Sequence, residues 1–232
     1  MLIWATTYPI TDVLLVTWDP LSLGMTRVLG AGVLLGLIAI ALGATRLRWR
    51  DWPIKQACVT GAVGLGLGTV LMNFGFLYSN PVNVAVIATT IPVISVIMGM
   101  FRGEERLTFR IGIALCFALA GGVLVSISNL KTEVGFQGGE LLMVIAVVLW
   151  TWFSRVSVVK LRVIPAFPRT ALTLTAAGIT LLPILLLIQW SGVVELSFSW
   201  SFSELGLPVF LILGVGFSMV FWMLIAARIG VT

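Results

Sequence analysis

The chain contains no histidine. The side chain most used to hold metals and to shuttle protons near neutral pH is therefore missing, and most metal-site and hydrolase chemistry goes with it. Only two cysteines occur, Cys58 and Cys116, both inside apolar runs. There they read as small packing residues and not as a disulfide pair. Charged residues are scarce, at 10% against roughly 25% in soluble domains. That scarcity excludes an ordinary water-soluble globule. Nowhere does a nucleophile come together with a base and an orienting group. An enzyme is not expected, even one acting on lipid, and neither is a cofactor or a metal.

What the sequence has instead is apolar length: 59% of its 232 residues are hydrophobic. Eight runs carry them, at Met1–Trp18, Leu21–Leu42, Ala57–Tyr78, Val82–Phe101, Phe109–Ile127, Gly139–Val159, Thr170–Trp190 and Leu205–Ala227. A helix crosses the hydrocarbon in about 20 residues, and all but the first run meet that length comfortably. The first holds Pro9 and Asp12 and is too polar at its centre for a cleavable signal. It is expected to be a true span that is short at its start. Asp19-Pro20, Asn80-Pro81 and Ser128-Asn129 punctuate one set of loops, and Arg102-Gly103 marks the other.

Twelve of the fourteen Lys and Arg residues fall at every second gap. Arg46, Arg48, Arg50 and Lys55 follow run two; Arg102, Arg106 and Arg110 follow run four. Arg155, Lys160, Arg162 and Arg169 surround the end of run six, and Arg228 closes run eight. Positive charge stays on the cytoplasmic side during insertion. The alternation therefore predicts a multi-pass protein of the cell (inner) membrane with its basic loops and C-terminus in the cytoplasm. The net charge of +5 is explained the same way, because no basic stripe or aromatic-interleaved patch points to nucleic acid. Trp18, Trp190 and Trp200 near one boundary, and Trp49 and Trp52 near the other, fit interfacial belts.

The runs also repeat. Trp4-Ala5-Thr6-Thr7 has a counterpart in Trp150-Thr151-Trp152-Phe153, and Gly64 to Gly68 has one in Gly214 to Ser218, at offsets of 146 and 150. Five spans per unit force the two units into opposite orientations, the inverted-repeat plan of many secondary transporters. The expected architecture is all-α: eight transmembrane helices out of ten, in two inverted five-helix repeats. Residues 1–128 form the first repeat and residues 139–232 an incomplete second one. Thr232 aligns with Val82, so partners of spans 4 and 5 are expected to lie beyond this sequence.

Arg27-Val28-Leu29-Gly30-Ala31, the glycine-rich span 3 and the stretch from Ala85 to Pro92-Val93 resemble the EamA-type drug/metabolite transporter family. Gly103-Glu104-Glu105-Arg106-Leu107-Thr108, with Gly112 and Gly121-Gly122-Val123, is similar to the close of that family's repeat. The resemblance implies ten spans, a small organic cargo and alternating access, often outward. It also implies a central route beside spans 3 and 4. The competing expectation is a non-transporting membrane component, either an inactive remnant or an assembly partner. The lipid bilayer and a small-molecule substrate are the expected partners, and a homodimer is left open.

Asp12 and Arg27 lie seven residues to either side of the Asp19-Pro20 turn, both about 10 Å below it at 1.5 Å per residue. Charges there are costly, by roughly 2.5–3.5 kcal/mol near a helix centre. Three readings stand: a structural strut (or a snorkelling Arg27), an outer gate, or a proton-sensitive coupling pair. Pro9, Pro92 and Pro183 interrupt helical runs and free carbonyls one turn earlier. Thr89, Thr90 and Ser95 near Pro92, with Asn73, Thr6, Thr7 and Tyr8, are candidates to line a cavity. Thr hydroxyls satisfying their own helices is the plainer account. Trp150 is a candidate aromatic wall, with packing as the alternative. Gly61, Gly64, Gly66 and Gly68, and the pair Gly32 and Gly36, predict close helix packing.

Overall fold

The computed structural model describes residues 2–14, 16–43, 49–79, 83, 86–87, 89–103, 108–128, 138–192 and 206–229. Among them every regular element is helical. In order these are α1 (Leu2–Leu14), α2 (Pro20–Ala41), a 3-10 turn (Trp49–Asp51), α3 (Ile54–Thr60), a π-helical segment (Gly61–Leu67) and α4 (Gly68–Leu77). Then follow α5 (Ile91–Phe101), α6 (Phe109–Ser128), α7 (Glu140–Val159), α8 (Ala166–Ser191) and α9 (Gly206–Ile229). Five helices are long and apolar enough to cross a membrane: α2, the continuous stretch Ile54–Gly75, α7, α8 and α9.

Local chemistry sets the ends. Asp19 caps α2, its Oδ1 accepting from Leu21 N at 3.0 Å and Ser22 N at 2.9 Å, with Pro20 opening the helix. Such a cap is worth about 1 kcal/mol, and proline is tolerated where the first N–H has no helical partner. α8 ends at Gly192 in the left-handed conformation, φ +66°, which only glycine adopts freely. α8 starts at Ala166, earlier than the apolar run implies, because Pro165 and Pro168 suit a first turn. Arg169, placed by sequence in a loop, is thereby drawn into the helix and buried. Pro183 lies exposed within α8, which continues through it.

The bundle is built on the crossing of α2 with α8, its most extensive contact. A methyl at Gly32 would fall 2.5 Å from Thr175 N, and one at Gly178 would fall 2.6 Å from Leu29 Cβ. The two backbones touch through these glycines, and larger residues would push them apart. Gly36 faces nothing within 4 Å, so the crossing sets Gly32 against Thr175 and Gly178 against Leu29 and makes no use of Gly36. The π-helical segment lies against α8 and α7, with Gly61 against Thr173 O and Gly64 against Phe153 Cβ. π-helical turns are rare and favour functional positions.

Around this crossing lies one main core, centred on Leu35, Phe153, Leu174, Ala177, Met219 and Met223. α9 packs on α2 and on α1, while α5 packs on α7. α6 touches α5 only slightly and leaves Phe117 76% exposed. Cys58 and Cys116 are free thiols, Cys116 on the exposed face of α6. Trp18, expected in an interfacial belt, is buried with Leu14, Leu23 and Leu211. Trp190 is exposed, as a belt residue should be.

Candidate functional site

The polar groups gather around α7. At its N-terminus Glu140 accepts from Ser79 Oγ at 2.9 Å and from Asn83 Nδ2 at 2.8 Å, both at Oε1. Its Oε2 accepts from Gly138 N at 2.9 Å. Gly139 N adds a bond of 2.8 Å to Tyr78 O. A carboxylate in a first helical turn also meets the positive end of the helix dipole. This cluster ties α7 to the segment that follows α4.

The other end of α7 is basic. Lys160 N and Leu161 N both bond to Val156 O, at 2.8 and 3.2 Å. The next carbonyl, Ser157 O, accepts from Arg169 Nη1 at 2.9 Å. A guanidinium here satisfies a C-terminal carbonyl and faces the negative end of the dipole. Arg155, 4% exposed, reaches Ser95 O of α5 at 3.2 Å through Nη1. Other atoms at this end are left over: Ser154 Oγ, Ser157 Oγ and Arg169 Nε are buried with no hydrogen-bond partner. Buried polar atoms are usually satisfied, so this end is polar beyond the needs of packing.

On the same end an open cleft of about 480 Å³ lies between α3, the end of α5 and α7. Its lining includes Lys55, Gln56, Thr60, Arg102, Trp152 and Lys160. Trp152, Val156 and Lys160 are four residues apart, which aligns them on one face of α7. The α3 residues Lys55, Gln56, Val59 and Thr60 share a face for the same reason.

The residues singled out from sequence divide among several places. Thr7 is buried, and a Cβ at Gly214 of α9 would lie 3.0 Å from its methyl. Thr6 is exposed and bonds back to Ile3 O at 2.8 Å. Asn73 is buried near the start of α2, its Nδ2 donating to Pro20 O at 2.7 Å. Thr89 and Thr90 donate to Val86 O and Ile87 O, at 2.7 and 2.6 Å. Thr90 stands at the N-cap position of α5 without a side-chain capping bond, and the exposed Pro92 lies in the first turn. Ser95 is buried and meets Arg155. Trp150 is half-buried beside Phe153, with ring centroids 5.7 Å apart. Arg27 is half-buried in α2. The side chains of Tyr8, Pro9 and Asp12 lie outside the described residues, as do Glu104, Glu105 and Arg106.

Sequence reasoning passed over Glu140, Arg155 and Arg169 as partners of anything. Signals for two of them were present. Arg155 stands inside an apolar run, as Arg27 does, and Glu140 follows Gly138-Gly139 at a helix start.

A helical bundle with this many long apolar helices, with Asn73, Arg155 and Arg169 buried among them, belongs to the class of multi-pass membrane proteins. The model of the EamA-like transporter family matches residues 1–127, and the chain belongs to that family. A protein of Streptantibioticus cattleyicolor described as "Probable terminal-alkyne amino-acid exporter" is 28% identical over 126 residues. The match covers 54% of this chain and 42% of that protein, so it spans less than half of the relative's length. A solved structure described only as "Crystal structure of protein" superposes with a TM-score of 0.74 at 22% identity. It covers 98% of this chain and 76% of that one, a likeness of fold.

Proposed function

We propose that the chain carries the transport core of a secondary transporter for small organic molecules, working by alternating access between two inverted repeats. Residues 1–128 would form one repeat and residues 139–232 part of the other. The observation that carries this reading is the pairing of helices. Exchange α1 with α7, α2 with α8, and the span from the π-helical segment through α4 with α9. The contact of α1 with α9 then becomes that of α7 with α4, and the contact of α2 with α9 becomes that of α8 with the π-helical segment. The α2–α8 crossing maps onto itself. A pseudo-two-fold axis through that crossing relates these contacts to one another, which supports a reading in which one repeat rocks against the other.

Orientation comes from charge: the basic end, with Lys55, Arg102, Lys160 and Arg228, is cytoplasmic in a cell membrane. Export of amino-acid-like molecules is the favoured activity, by likeness to the relative whose name says as much. Thr7, Thr90 and Trp150 are the cavity candidates to test first, and Asp12 with Arg27 the gating or coupling pair.

The test is flux. Purified chain in proteoliposomes is loaded with unlabelled amino acids, and counterflow of labelled ones is followed. Saturable exchange that Thr90→Val or Arg27→Gln changes at least several-fold is expected. No saturable exchange of any amino acid by chain that still melts cooperatively would sink the proposal.

A further inference from the structure

We infer that the cleft at the basic end is a binding site for an organic anion, one carboxylate or phosphate on a flat apolar body. Three cations reach it from three separate helical segments: Lys55 on α3, Arg102 at the end of α5 and Lys160 at the end of α7. Among the described residues, no acidic one is in its lining. Asp51, two residues before Pro53, is the nearest described acid along the chain on that side, and Glu104 and Glu105 follow Arg102 outside the described residues.

Retention of positive charge on one face explains why cations lie at this end of the bundle. It does not explain why three of them surround a single concavity, since like charges there raise one another's energy until an anion enters. The rest of the lining completes the site. Trp152 and Val59 offer an apolar wall, and Gln56 with the buried Thr60 supplies neutral polar groups. An aromatic ring with a few placed polar groups is the usual make-up of a small-molecule site, and the cations add attraction for a negative head. This goes beyond the transport reading, because an anion would bind here whichever way cargo crosses the bundle.

The anion could come from the cytoplasmic solution or from a lipid headgroup at the membrane surface, and both present the same chemistry. Chain in phosphatidylcholine nanodiscs is titrated calorimetrically with phenyl phosphate, with uncharged benzyl alcohol as the comparison. Saturable binding of phenyl phosphate alone is expected, weakening as salt rises. Combined Lys55→Gln, Arg102→Gln and Lys160→Gln should weaken it about tenfold, from exposed ion pairs of modest strength each. Trp152→Ala should weaken it about threefold through loss of stacking. Lys55, Arg102 and Lys160 are exposed, so the triple variant should melt as the parent does. The salt series on the unaltered chain tests the charge dependence without any variant. Equal binding of benzyl alcohol, binding indifferent to salt, or a folded triple variant that binds as the parent does would each overturn the proposal. Repeating the titration in phosphatidylglycerol discs separates the sources: loss of the signal identifies the lipid headgroup as occupant, and persistence identifies a soluble anion.

Discussion

The two ends of α7 solve the same problem in different ways. At the N-terminus one carboxylate, Glu140, takes three donors from groups before and outside the helix. At the C-terminus two guanidinium groups, Arg155 and Arg169, each reach a backbone carbonyl, while nearby Ser154 and Ser157 hydroxyls stay unsatisfied. The first end carries a compact cluster of bonds on one carboxylate; the second is polar, looser and opens into a cleft. A transporter that alternates must open one side at a time. Under the alternating access proposed above, the end marked by Glu140 would be the one held closed.

Breaking the Glu140 cluster should therefore have the largest effect. Glu140→Ala removes three hydrogen bonds and should cost about 3 kcal/mol, at about 1 kcal/mol per lost bond. The same variant should raise deuterium labelling of the Gly138 and Gly139 amides, which bond there to Glu140 and to Tyr78 O. Unchanged melting and labelling would show that the cluster does not close that end. Arg169→Met is expected to be milder, about 1–2 kcal/mol by thermal melting. It removes a helix-end bond but also relieves the burial of a charge. If it destabilised more than Glu140→Ala, the contrast between the ends would be reversed. Asn73→Leu, which loses the bond to Pro20 O, should cost about 1 kcal/mol. Thr90→Val is the small change, within about 0.5 kcal/mol. The Thr90 hydroxyl bonds only three residues back along its own chain, so any large effect of this variant on flux reports cargo and not folding.

Much of the scaffold was legible because membrane helices are written in length and charge. The apolar runs from Leu21, Gly139 and Leu205 match α2, α7 and α9 to within one or two residues. The π-helical segment was not legible as such: Gly61 to Gly68 announced close packing, but glycines alone do not tell an α turn from a wider one. Partnerships across the bundle were harder still. Asn73 reads as a cavity residue by its position in span 3, yet its amide is occupied by the turn before α2. Arg169 reads as a loop cation, because hydropathy cannot show that two prolines will start a helix beneath it. Pairings between distant segments depend on which faces meet, and a single sequence carries little of that information.

The bond from Arg169 to Ser157 spans only 12 residues of chain. Contacts this local form early, before distant segments are available. During synthesis the turn between α7 and α8 can fasten itself as soon as the first residues of α8 emerge, with no help from α2 or α9. A bond closed over so short a loop costs little chain entropy, so the end of α7 and the start of α8 are fastened to one another without a partner from α2 or α9.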